Sequence, residues 1–152
     1  MSDYNFLYEE FERHIVSNFN IKVIMQYDSN DAFFSELLLI TINKSNPWKH
    51  RFYSLLHEFG HFIISRNRVL YEKNYPKSVK GKTTRQDVIS TVSEEIDAWN
   101  SGRDYLTTVL KVNIDQEYFD RLKTNCVMTY VVSTLKEAYG KRIDLNNVNT
   151  EI

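Results

Sequence analysis

The stretch Phe52-Tyr53-Ser54-Leu55-Leu56-His57-Glu58-Phe59-Gly60-His61-Phe62-Ile63-Ile64 constrains this chain more than any other. It is apolar on nearly every side, so a helix made from it belongs at the centre of a fold rather than on its surface. Yet His57, Glu58 and His61 stand inside it, and polar groups taken out of water need partners. In a helix, residues four apart lie about 40° apart around the axis and one turn along it. His57 and His61 therefore project from one face and can grip a single ion, while Glu58 flanks that face without being placed to ligate. H-E-x-x-H on a helix is the pattern in which two imidazoles hold zinc and the glutamate serves as general base. A polar stripe on a half-buried helix is the competing explanation. It fits less well, because two of the chain's four histidines fall at this one spacing, in a run apolar enough to be buried.

Four glycines and two prolines in 152 residues favour long helices over a turn-rich β architecture. The length is that of one domain with room for a proper core. A formal net charge of −1 gives no electrostatic case for a nucleic-acid partner. The one cysteine, Cys126, precludes an intramolecular disulfide and fits a reducing compartment. Set in the apolar helical stretch Cys126-Val127-Met128, it reads as a small buried hydrophobe rather than a nucleophile. Met1-Ser2-Asp3-Tyr4 lacks the basic and apolar regions of a secretory signal, and no apolar run reaches the length of a membrane span. The expected location is the cytoplasm, with no membrane partner.

The fold expected is α+β in one domain, with a helix and a small sheet in residues 1–46. Ser2 or Asp3 caps a first helix in which Tyr4, Leu7, Tyr8, Phe11 and Ile15 recur at helical spacing. Ile21 to Tyr27 alternates as a strand, Asp28 to Asp31 is a turn by composition, and Phe33 to Ile42 reads as a second strand. The pair predicts a small antiparallel or mixed sheet against the helices. Asn46 as N-cap and Pro47 at the first helical position open the metal helix, residues 47–66. His50, about 10 Å along the axis from the ion, is too far to ligate. Residues 67–83 are polar and basic and read as a loop. A helix over 84–110 follows, with Val88, Ile89, Val92, Ile96 and Trp99 as its apolar stripe and Gly102 as a possible end or bend. Asp115 caps a last helix to about residue 140, where Gly140 closes it. The inward face of that helix uses Tyr118, Leu122, Cys126, Thr129 or Tyr130, Val132 and Leu135. The tail after Lys141 is expected to be loosely held.

A catalytic zinc site takes three protein ligands and leaves a position open. A third histidine six residues after His61 is missing, since Asn67 stands there. A carboxylate from another helix must complete the set, and Glu94, Glu95 and Asp97 form the acidic cluster inside an apolar-periodic helix downstream. The residues Arg51-Phe52, Leu56 through Ile64 and the preceding Ile40-Thr41-Ile42-Asn43 resemble the zincin metallopeptidases of the ImmA/IrrE group. That group follows the first motif with a helix reading E-x-E-A-N-x-F-A, whose first glutamate is the third ligand. Glu95-Ile96-Asp97-Ala98 matches its opening, while Trp99 stands at the usual Asn and Ser101-Gly102 at the usual Phe-Ala. The resemblance covers about residues 37 to 102. It implies a zincin-like fold, with the sheet packed on the H-E-x-x-H helix, a glutamate helix downstream and a mostly helical C-terminal half. It implies one Zn²⁺ per chain on His57, His61 and Glu95. Glu95 shares a face with Val88, Val92 and Trp99; Glu94, 100° round, is the alternative ligand. Asp97 is read as an outer partner that orients a ligand imidazole through its free ring N–H.

The function expected is zinc-dependent hydrolysis of a peptide bond in a cytoplasmic, regulatory protein, with Glu58 as general base. A protein or peptide substrate is the partner, and the oligomeric state is left open. An oxyanion-stabilising group has no fixed spacing; Tyr71, Tyr75 and Tyr105 are candidates. The alternative is a zincin-fold binding or regulatory module that keeps the metal site without significant proteolysis. A structural zinc site is disfavoured, since such sites are closed by four Cys/His ligands.

Overall fold

The computed structural model describes residues 3–79 and 81–140. Among them run helix α1 (Tyr4–Phe19), strands β1 (Lys22–Gln26), β2 (Ala32–Phe34) and β3 (Leu39–Asn43), then helices α2 (Trp48–Ser65), α3 (Arg68–Asn74), α4 (Arg85–Thr108) and α5 (Gln116–Tyr139). The class is α+β, mostly helical, with one three-stranded mixed sheet. The expected tail after Lys141 lies outside the described residues.

Asp3 opens α1 by accepting from the backbone N–H groups of Asn5 and Phe6. Tyr8, Phe11 and Ile15, one turn apart, bury its inner face. The sheet is ordered β1-β3-β2, with β3 central. β3 alternates strictly, Ile40 and Ile42 fully buried, as a strand with one face on the core must. β1 pairs with β3 in parallel and β2 pairs with it antiparallel.

The single strand expected over residues 33–42 is in fact two. A 3₁₀ turn at Ser35–Leu37 and a left-handed Leu38 (φ 46°) reverse the chain. Phe33 thereby comes to lie opposite Ile40 across the ladder. Leu37 is 69% exposed, so the apolar run Leu37 to Ile40 does not mark one continuously buried strand. β2, at the end of the sheet order, keeps one edge free among the described residues.

α2 is the centre of the molecule. Every residue from Phe52 to Gly60 is buried, with α1 and the sheet on one side and α4 on the other. Its N-cap is Pro47 rather than Asn46, because Pro47 itself is extended (φ −60°, ψ 155°) and the helix begins at Trp48. Aromatic side chains fill the α1 side: Phe11 meets Phe59 edge-on at 5.6 Å, and Phe33 of β2 meets Phe62 at 6.0 Å.

Two glycines set how closely α2 and α4 cross. A Cβ at Gly60 would stand 2.7 Å from the Ala98 carbonyl carbon and closer still to its oxygen. A Cβ at Gly102 would meet the Leu56 carbonyl in the same way, 3.1 Å from its carbon. The two helix backbones touch at both points. Gly102 is therefore not an end; α4 passes through it to Thr108.

A reciprocal capping box between Thr84 and Asp87 starts α4. The basic stretch expected to be a loop contains α3, opened by the Asn67 side chain accepting from Leu70 N–H. Asp115 caps α5 by accepting from Tyr118 N–H, and Gly140 (φ 63°) closes it. Its most buried apolar residue is Phe119, fully enclosed beside Trp99 and Tyr53, although the periodic reading had not placed it on the inward face. Tyr53 ties α5 to α2: its hydroxyl accepts from Asp115 N–H at 2.8 Å.

Candidate metal centre

His57 and His61 project from α2 toward α4, and Glu95 projects back from α4. The Nε2 atoms of the two imidazoles lie 3.1 Å apart. Glu95 places Oε2 3.1 Å from His57 Nε2 and Oε1 3.4 Å from His61 Nε2. Tetrahedral zinc bonds of about 2.0–2.1 Å hold their ligand atoms about 3.3 Å apart. The Nε2–Nε2 separation is of that order, as are the two imidazole–carboxylate distances, which run to different oxygens of Glu95. These residues form a group that can hold a metal ion, with His57 and Glu95 buried and His61 half-buried. Two imidazoles and one carboxylate are also a donor set that zinc accepts.

The helix crossing explains why the group assembles. Gly60 sits between the two histidines in sequence, and its partner in contact, Ala98, follows Glu95 by less than one turn. Backbone contact at that point brings Glu95 within reach of both rings. Trp99 adds a second restraint: its ring stacks on His57 at 4.4 Å with an 11° interplanar angle.

Electrostatics concentrate negative potential on the group. Burial alone would lower the His61 pKa, but the carboxylates of Glu94 and Glu95 outweigh it and raise the ring to about 10. Burial alone would raise Glu95, yet the imidazoles of His57 and His61 beside it hold the carboxyl down at about 2. The field that draws a proton to His61 is the field that would draw a metal cation. Glu58 is outside the ligating group but next to it, with Oε1 3.5 Å from His57 Nδ1. It is only 5% exposed, and burial is the main cause raising its pKa.

No family model, curated protein or solved structure matches this chain.

The remaining candidates divide by contact. Glu94 faces His61 Nδ1 at 3.7 Å, on the ring edge turned away from Glu95, and accepts from Tyr71 Oη (2.5 Å) and Lys77 Nζ (2.8 Å). It thus supports the far side of His61 rather than entering the Nε2 group. Asp97, expected to orient an imidazole, instead accepts from Tyr75 Oη at 2.6 Å. It lies two residues beyond Glu95, about 200° round the helix, and so meets Tyr75, just past α3, rather than the rings. Tyr105 is likewise engaged elsewhere, at 2.7 Å from His14 Nε2.

The metal group opens into a cleft of about 580 Å³. Glu58, His61 and Glu95 form part of its lining, with Ala32 and Phe33 of β2, Tyr71 of α3 and Tyr130 of α5 around them. α5 was not expected to shape the site, and the stretch that carries the candidate Tyr71 was expected to be a loop rather than the helix α3. The only sequence signal for α5 was Cys126, whose thiol reaches to 3.8 Å from Glu95 Oε2 and whose pKa burial pushes up to about 12. That supports a neutral thiol packed beside a carboxylate, not a thiolate nucleophile.

Proposed function

We propose that this chain is a zinc-dependent peptidase, zincin-like and akin to the ImmA/IrrE group, which hydrolyses a peptide bond in a cytoplasmic regulatory protein. The observation that carries the reading is that His57, His61 and Glu95 converge at ligand spacing beside the buried carboxylate of Glu58, in a cleft bordered by a free strand edge. Three protein ligands leave a fourth position, which is the mark of a catalytic rather than a structural zinc site.

When bound, zinc supplies Lewis acidity, lowering the pKa of water and polarising a carbonyl. His57 and His61 present their Nε2 atoms from adjacent turns of one helix, so their separation is fixed by the backbone. Glu95 supplies one negative charge and is oriented by the crossing at Gly60. Glu94 and its partners Tyr71 and Lys77 steady His61 from outside. Glu58 takes a proton from the water that attacks the carbonyl and delivers it to the leaving amine; its buried setting favours the protonated intermediate state of that cycle. The free edge of β2 offers backbone groups to an extended peptide, which would add as a further strand and lay its carbonyls along the cleft.

The test is Glu58→Gln in zinc-loaded protein, assayed on a mixed peptide pool and on partners captured by the variant. Hydrolysis should fall by about 10²–10⁴, the range for a lost general base, with zinc affinity unchanged. Equal cleavage by both forms would remove Glu58 from the mechanism. A captured partner that binds both forms alike and is never cut would favour the binding-module alternative.

A further inference from the structure

An imidazole that ligates a metal has to be held in one orientation, and the usual device is a hydrogen bond from its second ring nitrogen. A ring that ligates through Nε2 carries its hydrogen on Nδ1. His57 lacks the usual device. The charged neighbour of its Nδ1 is Glu58 Oε1 at 3.5 Å, longer than the roughly 2.7–3.2 Å of a sound N–H···O bond. Among the described residues that nitrogen makes no hydrogen bond.

A flat ring stands where the hydrogen bond is missing. Trp99 lies against His57 with centroids 4.4 Å apart and planes 11° from parallel. It follows Glu95 by four residues, one turn along the same face of α4. That face therefore delivers a carboxylate to His57 Nε2 and an indole to the plane of the same imidazole. The indole is itself fixed in place. It is only 4% exposed, and the fully buried Phe119 of α5 meets it edge-on at 5.4 Å.

Packing alone does not explain an indole here. Its buried N–H finds no hydrogen-bond partner among the described residues, and the Cys126 sulfur, which it influences, is only a weak acceptor. Phenylalanine would fill the space without stranding a donor. What tryptophan offers over phenylalanine is the more strongly negative face. An imidazole ligating through Nε2 gives up electron density and gains partial positive charge. Such a ring is attracted to the indole face, the more so in a buried site.

We propose that Trp99 is a positioning residue of the metal centre. Its indole face holds the His57 imidazole in the ligating orientation, in place of a hydrogen bond at Nδ1, and stabilises that ring once it ligates. This rests on the metal-binding part of the reading above and not on peptide hydrolysis.

The experiment measures zinc affinity by chelator competition for wild type, Trp99→Phe and Trp99→Leu. Affinity should fall in the order Trp, Phe, Leu. The Leu variant should bind about 10–100-fold more weakly, the range for an outer partner of a ligand, and Phe should recover part of the loss. A second series leaves the shape of the core almost unchanged and decides the matter if the Leu variant fails to fold. The chain has two tryptophans, so a Trp48→Phe background leaves Trp99 alone to be replaced biosynthetically by increasingly fluorinated tryptophans. Fluorine drains negative potential from the ring face with little change in size. Zinc affinity should decline stepwise, by roughly tenfold in all, the scale of a desolvated cation–π contact. Affinity indifferent to fluorination would overturn the proposal, because a ring that only packs would not register the change. A folded Trp99→Leu protein that binds zinc as tightly as wild type would overturn it too, with the metal centre left standing. Wild type that binds no zinc would contradict the metal centre itself, and the role of Trp99 with it.

Discussion

Gly60→Ala tests whether the helix crossing holds the metal group together. The added methyl would stand 2.7 Å from the Ala98 carbonyl carbon and closer to its oxygen. The obstruction is backbone, so no rotamer change relieves it, and Ala98→Gly cannot compensate. Restoring ordinary contact requires α2 and α4 to part by on the order of 1 Å in a core with few voids. Overpacking of this kind costs about 1–3 kcal/mol, or roughly 3–10 °C in Tm for a domain of this size. The larger effect falls on the metal. Ligand distances tolerate only about ±0.2 Å, and Glu95 rides on the helix that must move while His57 and His61 ride on the other. Zinc affinity should fall by at least about 10²-fold, since a lost ligand contact exceeds the 10–100-fold of an outer partner. Thermal melts with and without chelator, together with competition against a chromogenic chelator, measure both effects. A Gly60→Ala protein with unchanged zinc affinity would refute the idea that this crossing places Glu95.

Three further outcomes follow from named contacts. Glu95→Ala should weaken zinc binding far more than Glu94→Ala, whose loss should stay within about 10–100-fold because Glu94 acts through His61; a chelator competition with the order reversed would make Glu94 the ligand. Zinc affinity should rise with pH by nearly tenfold per unit between about pH 7 and 9, because zinc must displace the proton that His61 holds up to about 10. The same raised pKa stabilises the metal-free protein fully below the ordinary histidine value of 6.5 and progressively less toward 10, so the Tm gain from zinc should grow with pH; a gain that shrinks over that range would contradict the sign. Tyr53→Phe should cost about 1–2 kcal/mol by leaving the Asp115 N–H without its partner, with zinc affinity unchanged, as urea unfolding and chelator competition would show.

The parts of the site carried by one helix were open to sequence reading, because i,i+4 spacing alone fixes His57 against His61. Glu95 was readable too, since its register with Val88, Val92 and Trp99 points it into the core. What spacing could not supply was contact between helices. Gly102 looked like an interruption because a glycine within a helical pattern reads as a break, whereas here it is the point where α4 meets the Leu56 carbonyl. Asp97 was assigned to an imidazole by its nearness in sequence to Glu95, but Tyr75, just past the end of α3 in a polar stretch, donates to it. Tyr130 was invisible as a cleft residue because α5 lies far along the chain. The split of residues 33–42 escaped for a local reason: a left-handed leucine is uncommon enough that no pattern of apolar residues suggests it.

X-ray absorption at the zinc edge tests the central claim most directly. Purified chain equilibrated with one equivalent of zinc should show two imidazole nitrogens and carboxylate oxygen at about 2.0–2.2 Å, with a light oxygen donor completing four-fold coordination. The oxygen shell should change in Glu95→Gln, and the imidazole signature should be lost in His57→Ala. Sulfur scattering at about 2.3 Å would place Cys126 on the metal and contradict the account, as would a spectrum indifferent to both substitutions.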